Sequence, residues 1–312
     1  MSQFVYVVAY LSIIVFFVAV VKKIKNYLDK PIHVRWELYP VAHEGGGRDQ
    51  YGGSYLEDVG WWGKERDVSM IGELKVMIPE ILLLKAVWEH NRPLWYATYP
   101  FHLGLYLIVG FIGTLLVTSV SGLIGLEHAF YMLPVSALTN LLGPAGFILC
   151  IAGALGLIYK RMTDPGLKNY SSPGHFFNLM LFIVTMGVAT LTWLFVDPSF
   201  QLTRQFVSNL ISFNIAPIDS SLFMVQVILG VLTLAYIPLT HMSHFFMKYF
   251  LYHDIRWGDE PNINTPKTDA KIGIVLNYPV SWSASHIAGH GKETWAEVAT
   301  FNPAAEPEEG KE

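Results

Sequence analysis

The chain has 312 residues, of which 52% are hydrophobic and 15% charged, with a mean hydropathy of +0.37; a soluble domain carries about 25% charged residues, so an ordinary soluble enzyme is excluded. The net charge of −4 is spread over mixed sequence and leaves no basic footprint for nucleic acid. Cys150 is the only cysteine, which excludes a disulfide framework, a CxxC zinc site and an iron–sulfur cluster held by this chain alone. Redox chemistry here needs a cofactor held by other ligands, and the eleven histidines are the inventory for it.

Crossing a bilayer takes about 20 mostly apolar residues. Five stretches qualify: Phe4–Val21, Phe101–Leu123, Leu138–Tyr159, Phe176–Val196 and Leu222–Phe246. The expected fold is an all-α integral membrane protein, a bundle of five transmembrane helices in the lipid bilayer. The first stretch is followed, not preceded, by Lys22, Lys23 and Lys25, so it reads as an uncleaved anchor. Lys and Arg number eleven in 22–97, three in 159–172 and six in 247–312, against Arg204 alone in 1–3, 121–137 and 197–218. The excess marks the cytoplasmic side, with the N-terminus outside and the C-terminus inside the cytoplasmic membrane.

Four segments follow: a first span (1–22), a cytoplasmic loop (23–97), a membrane core (98–253) and a cytoplasmic tail (254–312). The loop opens with the Gly-rich Glu44-Gly-Gly-Gly-Arg48 and Tyr51-Gly-Gly-Ser54. It continues into Ser69–His90, where Glu73, Lys75, Glu80, Lys85 and Glu89 forbid spanning and an amphipathic helix would lie at the interface, carry a partner or pack over the bundle, bent or restarted at Pro79. The tail is polar, with Trp257, Trp282 and Trp295 as isolated aromatics and an acidic end expected to be disordered. It would wrap a partner or the bundle.

Most histidines need no special role. His33, His43, His286 and His290 lie in loop or tail sequence, His128 in an outer loop, and His90 and His253 near helix ends. His102 stands in the first turns of the second span and His244 in the last turns of the fifth, so antiparallel helices bring both to similar depth near the inner face. An ionisable group at membrane depth is costly unless engaged, and two imidazoles from facing helices suit a six-coordinate haem b. Gly104 and Gly110 would let a flat macrocycle approach the backbone, and Arg92, Lys248 or Trp95 could meet its propionates. His175 and His241 are each read as histidines hydrogen-bonded to nearby polar groups, or as further ligands. His241-x-x-His244 also matches one box of membrane di-iron oxygenases, without the companion boxes such sites need.

Phe101-His102-Leu103-Gly104, Tyr236-Ile-Pro-Leu-Thr-His-Met-Ser-His244 and the five spans together resemble the cytochrome b gamma subunit of respiratory nitrate reductase and its relatives, the membrane subunits paired with heterodisulfide-reductase-like proteins, including the Tmc-type complexes of sulfate reducers. In that family the second and fifth spans each carry two haem ligands. His102 and His244 match the inner pair, whereas the outer pair falls at Ile112 and Gln226, so the resemblance implies one haem b and loss of the outer one. His175 and His241 stay as candidates for a second haem or a quinone site. Trp36-Glu-Leu-Tyr-Pro40 with His43-Glu44 is similar to the sulfate-reducer branch.

By this resemblance the chain passes electrons between menaquinone of the membrane quinone pool and a cytoplasmic iron–sulfur subunit, with His175, His241, Tyr99 and Tyr106 as candidates to line the quinone pocket. The alternative class is a haem-free membrane anchor or transporter subunit that recruits a cytoplasmic complex.

Overall fold

The computed structural model describes residues 1–28, 47–51, 58–60, 64–65, 69–247, 266–280 and 293–300, which are mainly helical and contain no strand. They fall into two compact units, 1–20 with 69–243 and 21–68 with 244–312. His33, Trp36–Pro40, His43, Gly52–Ser54, Lys248, His253, Trp257, Trp282, His286, His290 and the acidic end lie outside the described residues.

The first unit holds α1 (Ser2–Leu28, as far as Val20), α2 (Met70–Leu82), α3 (Lys85–His90), α4 (Arg92–Leu123), α5 (Met132–Thr163), α6 (Pro165–Lys168), α7 (Pro173–Phe195), α8 (Gln201–Ile211) and α9 (Ser221–Tyr236). Five helices among the described residues are long and apolar enough to cross a membrane: α1, α4, α5, α7 and the segment Ser221–Leu239. The chain is a helical multi-pass membrane protein, and helices are what hydrocarbon allows, since each satisfies its own backbone polar groups.

Glycine decides how α4 and α5 meet. A Cβ on Gly104 would lie 2.5 Å from the Cys150 nitrogen and 2.9 Å from the Gly146 carbonyl oxygen, and one on Gly153 would collide with the Phe101 backbone. Ala97 faces Gly156, and Gly110 faces Leu142. Contacts that climb α4 while descending α5 make the pair antiparallel, backbone against backbone. α7 covers this pair: Phe101 meets Phe182 edge to face at 5.4 Å, in a core with Phe111, Leu115, Phe147, Leu179 and Met186. Phe200 plugs the far end, its ring 4.8 Å from Phe111 and close over Gly143, held there in a left-handed backbone (φ 56°).

Between the fourth and fifth spans the connection contains a helix, α8. The buried Asp197 carboxylate accepts from the Leu202 and Thr203 amides at 3.1 and 2.8 Å and from the Thr203 hydroxyl at 2.8 Å, capping the first turn. Arg204 reaches back to the Ser199 carbonyl at 2.7 Å, while Ser119 of α4 donates to the Arg204 carbonyl. Burial pulls the Arg204 guanidinium below its ordinary range, and Asp197 opposes that shift. The apolar side of α8 receives α1: Tyr6 packs on Phe206 at 5.0 Å, Tyr10 donates to the Leu210 carbonyl, and Val5 and Ala9 join Phe223 and Val227 of α9.

Two further boundaries differ from expectation. The stretch Leu222–Phe246 is not one helix: α9 stops at Tyr236 and is followed by 3-10 turns Ile237–Leu239 and His241–Ser243, with Thr240 extended between them. Pro238 has no N–H to continue the ladder, and the Thr240 hydroxyl accepts from the Met242 amide, starting a new turn. Pro79, in contrast, lies inside α2, and the break falls at Leu83–Leu84, where Leu84 is left-handed (φ 52°). Glu80 accepts from the Ala86 amide in the first turn of α3.

The second unit contains the end of α1 from Val21, a turn at Arg48–Tyr51 with Arg48 paired to Asp58 at 2.8 Å, the helical run 244–247, α10 (Pro266–Leu276) and α11 (Trp295–Thr300). Val280 donates to the Glu293 carbonyl and Trp295 to that of Tyr278, tying α10 to α11.

Gly153→Ala should separate α4 from α5 and cost about 1–3 kcal/mol, read as a lower unfolding temperature in detergent. Gly113→Ala, where nothing lies within 4 Å, should leave that temperature unchanged.

Candidate functional site

One end of the first unit gathers four of the histidines, His90, His102, His175 and His241. α4 begins there, α5 ends, α7 begins and α9 gives way to its 3-10 turns, as the antiparallel contacts of α4 with α5 and of α7 with α9 require. Arg92, Lys160, Arg161 and Lys168 belong to the same end, and Arg204 to the opposite one.

His102 is half-buried in the third turn of α4, whose helix begins earlier than the apolar stretch that announced it. Its Nδ1 lies 2.8 Å from the Thr98 carbonyl oxygen, one turn back. A carbonyl can only accept, so Nδ1 carries the proton and the ring lone pair is on Nε2. That is the tautomer an axial imidazole uses, its distal N–H fixed by a backbone carbonyl. The donor chemistry of His102 therefore fits a haem iron.

His175 is set the other way. It occupies the third residue of α7, where its Nδ1 accepts from the Ser172 backbone amide at 2.9 Å and faces the Ser172 hydroxyl at 3.1 Å. It takes the part that Glu or Gln plays in a capping box. An amide N–H can only donate, so the lone pair of Nδ1 is engaged and the proton of the neutral ring sits on Nε2. In this tautomer His175 is a hydrogen-bond donor through Nε2 and does not fit an iron.

The structure brings His175 and His241 together, rings 5.3 Å apart and inclined at 67°. They close a polar seam between α7 and α9. Deeper in the bundle Tyr236 donates to Asn178 Oδ1 at 2.9 Å, and Thr185 meets Thr233 at 3.0 Å. Asn178, Thr185 and Thr233 are buried. Sequence reasoning missed Asn178 and the seam, although spacings of three and seven from His175 put Asn178 and Phe182 on its face. His244 begins the helical run 244–247 in the second unit and is exposed, and His102 belongs to the first.

Gly104 and Gly110 have neighbours other than the macrocycle expected for them. The space where Gly104 would bear a Cβ is filled by Cys150 and Gly146, and at Gly110 by Leu142 at 3.2 Å. Their smallness serves the contact of α4 with α5. Trp95 Nε1 donates to the Leu83 carbonyl at 2.7 Å and the Tyr106 hydroxyl to that of Ile81, so these donors are engaged with α2. Arg92 lies over the Trp88 ring at 4.6 Å, and Tyr99 stacks on Trp95 at 4.4 Å. His90 and His128 are exposed. Ile112 is exposed on α4, while the Oε1 of Gln226 on α9 is buried without a hydrogen-bond partner among the described residues.

No family model, curated protein or solved structure matches this chain.

His175→Gln keeps an acceptor at the start of α7 and should be tolerated, whereas His175→Leu should cost about 0.5–2 kcal/mol. Thermal unfolding of the two variants in detergent distinguishes them. Asn178→Leu leaves the Tyr236 hydroxyl without its acceptor and should cost about 1–3 kcal/mol by the same measurement.

Proposed function

We propose that this chain is the membrane cytochrome b subunit of a respiratory redox complex, passing electrons between menaquinone and a cytoplasmic, heterodisulfide-reductase-like iron–sulfur subunit. His102 and His244 would hold one haem b. The observation that carries the reading is the hydrogen bond from His102 Nδ1 to the Thr98 carbonyl, which fixes the tautomer with its lone pair on Nε2, in a membrane-crossing helix. A haem held by two imidazoles supplies one-electron transfer without an open coordination position for substrate.

The chain's own residues do the rest. The Thr98 carbonyl fixes the ring plane and tautomer of His102, and the glycine contact with α5 fixes the rotation of α4 that aims it. The Lys/Arg-rich end, where α4 begins and α5 ends, is read as cytoplasmic, with the N-terminus outside. A menaquinone headgroup fits the seam at His175 and His241: His175 offers a proton on Nε2 to a quinone carbonyl while its other nitrogen is held by Ser172. The engaged Nδ1 argues for His175 as a quinone partner over a second haem ligand. Ile112 and Gln226, at the positions of the outer pair, are given no haem.

The test is haem per polypeptide by pyridine haemochrome, with a dithionite-reduced minus oxidised spectrum. One b-type haem is expected, and His102→Ala should lose it or convert it to high spin. Ile112→Ala and Gln226→Ala should leave the spectrum unchanged, and loss of haem from either overturns the single-pair assignment. A folded chain with no haem would favour the membrane anchor.

A further inference from the structure

Helix α2 ends in an unusual way. The carbonyls of its final turn have no partner within the helix, and in water they need none, because water supplies donors. Here two aromatic donors of α4 do so: the Tyr106 hydroxyl bonds the Ile81 carbonyl, and Trp95 Nε1 bonds that of Leu83. Tyr106 lies in the second half of the first five turns of a membrane-crossing helix. Val109, Val117 and Val120, which continue its face toward the far end, are 70%, 47% and 43% exposed. That apolar stripe of a spanning helix faces lipid, so the end of α2 is fastened to a lipid-facing surface.

The exposed side of α2 matches that setting. Ile71, Leu74, Ile78, Ile81 and Leu82 recur at helical spacing and fall within about 100° of arc; all five are exposed, Ile71 the most at 69%. Lys75 sits at the edge of this stripe, where its stem can follow the apolar surface while the ammonium reaches a headgroup. Glu80 lies on the opposite side and turns to α3. Around the attachment stand Trp88, Trp95, Tyr96 and Tyr99 with Arg92, the residue types that collect at a membrane–water boundary.

We propose that α2 is embedded in one leaflet of the bilayer, with Ile71, Leu74, Ile78, Ile81 and Leu82 against acyl chains, so that this face is covered by lipid and not by a protein partner. The carbonyl capping by Tyr106 and Trp95 then has a physical reason: hydrocarbon offers the Ile81 and Leu83 oxygens no other donor. The surface is continuous with the lipid contact of α4, and no haem or quinone is needed for it.

Site-directed spin labelling tests this on the full chain. Cys150 is its only cysteine and is fully buried, so an added cysteine is the one labelled. Leu74→Cys, Ile78→Cys and, as a reference on the opposite side, Glu80→Cys are labelled and reconstituted in phosphatidylethanolamine/phosphatidylglycerol vesicles. Collisions with oxygen, which concentrates in lipid, are compared with those of a water-soluble nickel chelate. The expected result is an oxygen-to-nickel ratio several-fold higher at 74 and 78 than at 80. Ratios at 74 and 78 as low as those of a water-exposed label would put the face in water, and protection of 74 and 78 from both reagents would put protein over it; either overturns the proposal. Leu74 and Ile78 are exposed and Glu80 is half-buried against α3, and a circular dichroism spectrum unchanged from the parent chain certifies each sample.

Discussion

The approach of α4 to α5, backbone on backbone, is the constraint from which the rest of the first unit follows. In lipid there is no hydrophobic gain from helix association, and dispersion between closely fitted surfaces has to replace it. Gly104, Gly146, Gly153 and Gly156 let that fit occur over about three turns of α5. They also set the azimuth of α4. His102 precedes Gly104 by two residues, about 200° around the helix, so a glycine aimed into α5 sends the imidazole to another side. The histidine is thus positioned by a contact in which it takes no part.

Much of the fold was legible because spanning is a matter of length and polarity, and α1, α4, α5 and α7 emerge close to where the apolar stretches run. The fifth span was drawn too long because hydropathy does not register geometry. Pro238 and Thr240 are apolar or neutral enough to pass as membrane sequence, yet one lacks an N–H and the other caps a new turn. Helix α8 could have been found: Asp197 stands before it as a cap, and Leu202, Phe206, Val207 and Leu210 recur on one face. It was passed over because α8 is too polar to span.

The candidate site was less legible than the fold. Histidine can be counted in a sequence, but which nitrogen bears the proton depends on a neighbour's backbone, a carbonyl for His102 and an amide for His175. The two rings look alike in sequence and differ in chemistry. The glycines near His102 show the same limit: sequence says that something approaches a small residue closely without saying what, and at Gly104 the backbone of α5 does so. The meeting of His175 with His241 depends on the turns after α9, which no periodicity predicts.

The tightest contact of the bundle joins helices separated by only a short connection, residues 124–131, whereas Tyr10 of α1 bonds the carbonyl of Leu210, 200 positions along the chain. Loop-closure entropy favours local pairing first. During synthesis α4 and α5 can therefore zip together before α7 has been made, while α1 waits in the lipid until α8 and α9 give it something to hold. α1, made before α4 and α5, docks after them, and until then its polar groups Tyr6, Tyr10 and Ser12 have lipid and one another as neighbours.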